Sequence, residues 1–176
     1  YGENSTLYDK DGKSYIDFLS GIAVNCLGYR HEGFLKAVTN QLNNLIHCSN
    51  LFYIEPQAKL AKLLVENSCG DRAFFANSGA EANEGAIKLA RKYFKKKREN
   101  KYEIITAKNS FHGRTLATIA ATGQEKYQKP FQPLPTGFIN VEFNHLPSIE
   151  RAIGEKTCAI MLETIQGEGG VVEADK

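Results

Sequence analysis

The sequence predicts an α/β fold: a mostly parallel sheet covered by helices, with an N-terminal lobe of hairpin and helices. Three observations carry this. From residue 71 onward, short apolar runs alternate with helical patterns, the arrangement that builds parallel sheets. Residues 1–70 lack that alternation and read as a separate lobe, leaving 71–176 as a second domain. Asn77-Ser78-Gly79 joins an apolar run to a helix start, and in such sheets ligands bind at the carboxyl ends of strands.

Taken in order, Leu7-Tyr8-Asp9 and Ser14-Tyr15-Ile16-Asp17-Phe18-Leu19 flank Lys10-Asp11-Gly12-Lys13, and Asp-Gly between strand-like runs signals a hairpin. A glycine-containing loop follows from Ser20-Gly21 to Gly28. Leu35, Val38, Leu42 and Leu45 recur at helical spacing within 32–45. A second helix starts at Pro56, a residue favoured at the first helical position, and runs to Glu66. Ala73-Phe74-Phe75-Ala76 reads as a buried strand within 72–76. Further strands are expected at 103–107, 138–142 and 157–162, with helices at 79–97, 115–122 and 146–153.

Composition narrows the function classes. At 176 residues, with 42% hydrophobic and 24% charged residues, the chain has the make-up of a globular protein with a real core. A net charge of +2 gives no case for nucleic acid or an anionic membrane surface as partner. The one basic run, Lys95-Lys96-Lys97-Arg98, falls where it complements a helix C-terminus. Cys26, Cys48, Cys69 and Cys158 form no C-x-x-C pair and the histidines show no ligand spacing, so no metal site is expected. Reduced thiols fit a cytoplasmic protein. No apolar run approaches the length that crosses a bilayer.

Three polar, glycine-bearing segments follow expected strands and converge on one sheet edge: 77–84, 109–114 and 163–170. In the first, Ser78-Gly79-Ala80-Glu81 admits two readings. The free N–H groups of a helix start can bind an anion such as a phosphate, and Gly79 lets it approach the backbone. The same four residues fit a capping box, in which Ser78 and Glu81 satisfy those donors. In the second, Phe111 can cover a planar heteroaromatic ring and Arg114 can hold a carboxylate bidentately. A core aromatic beside a surface arginine would look the same.

Together these segments resemble the class III pyridoxal-phosphate-dependent aminotransferases. The resemblance covers essentially the whole chain. It rests on Ser20-Gly21-Ile22-Ala23-Val24-Asn25, His47-Cys48-Ser49-Asn50-Leu51-Phe52-Tyr53, Asn77 to Glu84, Phe111-His112-Gly113-Arg114-Thr115, Ala121-Thr122-Gly123-Gln124 and Gln166-Gly167-Glu168-Gly169-Gly170, six motifs in family order. It implies a type I fold, here in part, and pyridoxal 5'-phosphate as cofactor. Residues 1–70 would supply part of the small domain and interface segments, and 71–176 the first part of the large cofactor-binding domain.

Residue by residue, the resemblance implies that Ser78, Gly79 and Ala80 hold the cofactor phosphate and that Phe111 stacks on its ring. Glu163 would lie near the cofactor, and Arg114 would bind the α-carboxylate of the amino donor. Glu168 would pair with a downstream arginine and let the site take two substrates in turn. The loops around Gly21 and Asn50 would line the pocket of a homodimer with shared active sites. The implied reaction moves the amino group of N2-acetylornithine to 2-oxoglutarate in arginine biosynthesis. Ornithine or 4-aminobutyrate are the alternative donors. A tryptophan is usual at the His112 position where ornithine is the donor, which favours the first.

Two motifs depart from the family pattern. Gly28-Tyr29-Arg30-His31-Glu32 stands where Gly-His-x-His-Pro is usual, and Thr164 where proline is common. The family's Schiff-base lysine and the aspartate for the pyridine nitrogen match nothing before Lys176. The chain is therefore expected to be an N-terminal portion with no catalytic lysine of its own, inactive alone. A non-catalytic fragment that binds the cofactor is the competing expectation.

Overall fold

Hairpin chemistry shapes the start of the computed structural model, which describes residues 1–176. Strands β1 (Gly2–Glu3), β2 (Thr6–Tyr8) and β3 (Ser14–Ile16) form an antiparallel meander. Asp9 closes its second turn: its carboxylate accepts from the Asp11 and Lys13 N–H groups at 3.0 Å each and from the Tyr15 hydroxyl at 3.0 Å. The glycine-containing loop then makes a single turn, α1 (Ser20–Ala23), in the left-handed region, with φ of 47°, 64°, 66° and 60°. Glycine accepts this freely, whereas Ser20, Ile22 and Ala23 do not. Asp17 steadies the turn by accepting from the Leu19 and Ser20 N–H groups at 2.9 Å each.

Helix α2 (Glu32–Asn44) is capped by His31, whose Nδ1 accepts from the Phe34 N–H at 3.2 Å. Helix α3 (Glu55–Glu66) carries Pro56 in its first turn, where a missing N–H costs nothing. These elements form one compact unit, Tyr1–Arg72. No apolar side chain in it is fully buried, and Phe18, Ile22, Leu51 and Tyr53 are 85% exposed or more.

The second unit is Ala73–Lys176. Its elements are α4 (Gly79–Lys96), β4 (Glu103–Ala107), α5 (Leu116–Ala121), α6 (Glu125–Gln128), β5 (Phe138–Val141), α7 (Leu146–Ala152), β6 (Thr157–Ile160), β7 (Ile165–Gln166) and β8 (Val172–Glu173). β4 lies between β5 and β6 in a parallel sheet, with Ile104 opposite Phe138 and Ile105 opposite Ile160. A strand buried on both faces reads as a continuous apolar run, and Ile104, Ile105, Thr106 and Ala107 are 0–1% exposed. Ile87 of α4 and Ile119, Ala120 and Ala121 of α5 complete the core. The buried Thr106 hydroxyl donates to the Ala121 carbonyl at 2.8 Å, tying α5 to β4.

The expected strand at 72–76 is absent. Residues 73–76 are irregular, and Phe74 is exposed rather than buried. Apolarity marks a surface to be covered, but a strand needs a neighbour's hydrogen-bond ladder. The sheet's edges are β5 and β6, and neither pairs with this segment. Phe74 instead lies against Gly85 on α4. The other expected helices and strands are present with ends shifted by no more than two residues, except that the hairpin run expected at 14–19 is a strand only over Ser14–Ile16. Helix α6 and the β7–β8 hairpin are additions that the periodicity did not indicate.

Candidate functional site

The site is built where the carboxyl end of β4 meets the start of α4. Ser78 caps α4, its Oγ accepting from the Glu81 N–H at 3.2 Å. The Glu81 carboxylate reaches back to the Asn77 N–H at 2.6 Å, one residue before the donor that a strict capping box would use. Side chains therefore satisfy two donors of this helix end. The Gly79 and Ala80 N–H groups have no acceptor within the chain. They stand at the positive end of an 18-residue helix. A Cβ at Gly79 would meet no protein atom within 4 Å, so packing within the chain does not demand glycine there. The cap therefore leaves the Gly79 and Ala80 amides without a partner at this helix start.

The loop after β4 is pinned on three sides. The His112 N–H donates to Thr122 Oγ1 at 2.9 Å, the Gly123 N–H to Ser110 Oγ at 3.0 Å, and Gln124 Nε2 to the Ser110 carbonyl at 3.0 Å. From α4, Asn83 Nδ2 donates to the His112 carbonyl at 2.8 Å, and Glu84 accepts from the Thr115 hydroxyl. Gly113 is required at its position: its φ is +130°, and a Cβ would stand 2.8 Å from that of Ala80. The loop carrying Phe111 and Arg114 is thereby pressed onto the α4 start.

The third segment joins from β6. Glu163 Oε2 accepts from the Phe111 N–H at 3.1 Å. Burial pushes the Glu163 carboxyl above its ordinary pKa, and the Phe111 N–H opposes part of that rise. Buried Gln166 donates through Nε2 to the Lys108 carbonyl at 2.9 Å, docking β7 at the end of β4. Phe111 is half-buried, and Arg114 is exposed and makes no ion pair. Glu168 accepts from the Tyr127 hydroxyl at 2.6 Å.

All three polar segments thus assemble within the second unit. Sequence reasoning passed over Tyr127, whose ring centroid is 5.9 Å from that of Phe111 and 5.1 Å from the Arg114 guanidinium carbon. It sits on a four-residue helix, too short for periodicity to signal. Asn83 and Thr122 were missed as well. Their role is to fix the loop backbone, which residue type alone does not disclose. A cleft of about 1050 Å³ lies elsewhere on α4 and is lined by residues that include Phe74, Gly85, Leu89, Arg91 and Tyr102. It is an apolar trough containing none of the converging polar groups.

The groups present suit a phosphorylated aromatic cofactor: two unused amides at a helix start, an aromatic ring and a half-buried carboxyl at one loop junction. Comparison with known proteins agrees. The pattern of the family "Aminotransferase class-III" matches residues 1–176, and the chain belongs to that family. It is 56% identical to the acetylornithine aminotransferase of Caldanaerobacter subterraneus subsp. tengcongensis over 174 residues, 98% of this chain and 44% of that protein. Its fold matches that of the ornithine aminotransferase from Toxoplasma gondii ME49 with a TM-score of 0.92 at 27% identity, covering 99% of this chain and 42% of that one. The N-acetylornithine aminotransferase from Stenotrophomonas maltophilia K279a matches with a TM-score of 0.82 at 37% identity, covering 99% and 43%. The chain spans less than half the length of these relatives. Over that portion it has the α/β fold of the pyridoxal-phosphate aminotransferases.

Proposed function

We propose that the protein carrying this chain is a transaminase that moves the amino group of N2-acetylornithine to 2-oxoglutarate, a step of arginine biosynthesis, with pyridoxal phosphate as cofactor. The observation that carries this is the junction of the α4 start with the Phe111–Arg114 loop and Glu163. Gly79 and Ala80 amides and the Ser78 hydroxyl would hold the phosphate. Phe111 would cover the ring, with Glu163 bracing it through its backbone N–H. When bound, the cofactor supplies an electron sink for the substrate α-carbon. Arg114 would hold the donor's α-carboxylate and so fix which C–H bond is presented for proton removal. Glu168 would tune the site between its two substrates. The lysine that moves the proton belongs, on this reading, to the part of the relatives' length outside residues 1–176.

The donor choice follows the similarity to acetylornithine aminotransferases. A histidine at position 112, where enzymes using ornithine usually carry tryptophan, supports it. The protein would act as a cytoplasmic homodimer with shared sites. The exposed Phe18, Ile22, Leu51 and Tyr53, beside the loops at Gly21 and Asn50, support such an interface. No helix is long and apolar enough to cross a membrane.

The test is glutamate formation by the full-length protein with added pyridoxal phosphate and 2-oxoglutarate. N2-acetylornithine should outperform ornithine and 4-aminobutyrate in kcat/KM. A preference for ornithine would move the protein to another branch of the family. No turnover with any of the three would overturn the reading.

A further inference from the structure

The side of α4 that enters the core also carries the loop. Ala80, Asn83, Glu84 and Ile87 stand at i, i+3, i+4 and i+7, one face of a helix, and Ile87 is buried. The first three each meet a different residue of the segment 112–115. Asn83 Nδ2 donates to the His112 carbonyl at 2.8 Å. Gly113 comes so near Ala80 that a Cβ on it would stand 2.8 Å from that of the alanine. The Glu84 carboxylate accepts from the Thr115 hydroxyl. Arg114 lies within this span, between the two bonded residues.

We propose that Asn83 and Glu84 are positioning residues that fix the spacing between the Gly79 and Ala80 amides and Arg114. The proposal rests on the aminotransferase reading of this site, in which a phosphate sits at the first and a substrate carboxylate at the second. Its physical ground is rigidity. Gly79 and Ala80 open the first turn of α4, and Asn83 and Glu84 belong to the next, about 5.4 Å further along the axis. The loop is thus stitched to the same element that presents the amides, with no flexible joint between them. Helix α5 secures the same loop residues: the Thr115 N–H donates to Thr118 Oγ1 at 3.0 Å and the His112 N–H to Thr122 Oγ1 at 2.9 Å.

A long exposed side chain has many rotamers, so Arg114 can orient a carboxylate only if the backbone that carries it is fixed. The two bonds ask for different chemistry. The His112 carbonyl needs a donor, and a carboxylate at position 83 would repel it. The Thr115 hydroxyl needs an acceptor at position 84, which an amide oxygen also supplies.

The experiment uses the full-length protein, with and without cofactor, carrying Asn83→Asp, Glu84→Ala or Glu84→Gln. Thr106→Val is the control, since it removes a hydroxyl-to-carbonyl bond inside the core. Asn83→Asp should lower donor kcat/KM about tenfold, the scale of a lost buried hydrogen bond. Glu84→Ala should act in the same direction, and Glu84→Gln should recover most of that loss. Inorganic phosphate, which needs only the helix start, should bind the cofactor-free variants as it binds wild type, read by its competition with pyridoxal phosphate. Thr106→Val should lower the melting temperature without a comparable loss of kcat/KM. Unchanged donor kcat/KM in Asn83→Asp would overturn the proposal, as would an equal loss in Thr106→Val or phosphate binding that weakens in step with kcat/KM. If the wild type transfers no amino group, the functional reading fails, and hydrogen exchange still decides the role of Asn83. The His112 and Thr115 amides should exchange about tenfold faster in Asn83→Asp, and rates equal to wild type would overturn it.

Discussion

Arg114 is exposed, free of ion pairs and seated on a loop pinned by Asn83 of α4 and by Gln124, just before α6. Such a cation can meet a carboxylate without first breaking a bond of its own. Arg114→Ala in the full-length enzyme should lower donor kcat/KM by on the order of 2–4 kcal/mol and leave cofactor affinity nearly unchanged. Steady-state kinetics beside a pyridoxal phosphate titration checks this, and equal donor kcat/KM in the two proteins would place the carboxylate elsewhere. Two residues before it, His112 is buried with an unpartnered Nε2, and burial holds its imidazole below the ordinary histidine pKa. An unfolded histidine takes up its proton near about pH 6.5, whereas the buried one resists until lower pH. Between those values the unfolded state binds more protons, so stability falls as pH drops below about 6.5. His112→Gln should flatten that part of the profile in thermal melts from about pH 7.5 to 5. A slope identical to wild type would assign it to other groups.

Among the elements, α4 ties stability to the site most directly. Ser78 is its cap as well as a candidate phosphate ligand, and the two roles separate experimentally. Ser78→Ala should cost about 1 kcal/mol in melts without cofactor, and Ser78→Gly only a few tenths. Equal losses would show that the hydroxyl does not cap. This helix was legible in the sequence because a cap signal and a long amphipathic run agree. The same holds for β4, whose apolar residues are buried on both faces as a continuous run implies. The segment 73–76 was misread because its apolar run resembles that of β4, while pairing depends on neighbours that no local pattern names. At the site, the segments 77–84, 109–114 and 163–170 could be singled out from residue type and from their place after expected strands, whereas Glu163 and Glu168 were picked out only through the family resemblance. The residues that aim them, Tyr127, Asn83 and Thr122, could not, because their value lies in contacts up to 41 residues away in sequence, as in the Tyr127–Glu168 bond.

On the scale of the whole molecule, apolar burial is concentrated in the second unit and centred on β4. Ile105, fully buried between two strands, is its sharpest probe. Ile105→Ala should destabilise by about 2–5 kcal/mol in urea melts, against about 0.5–1.5 for Ile105→Val. A loss below that range for alanine would mean that the sheet can collapse into the cavity. The central place of β4 also has a meaning in time. The strand is finished at Ala107, but its ladder partners arrive only with Val141 of β5 and Ile160 of β6. A ribosome adding about 5–20 residues per second leaves that apolar ribbon without a neighbour for roughly 2–7 s. Helix α4, already synthesised, is the one long amphipathic surface of this unit on hand to shelter it. Newborn chains arrested with residues up to about 130 emerged should therefore be cut quickly by protease near β4, and those arrested with β6 emerged should resist, so the vulnerable period of this protein's life is set by the order in which three strands are made.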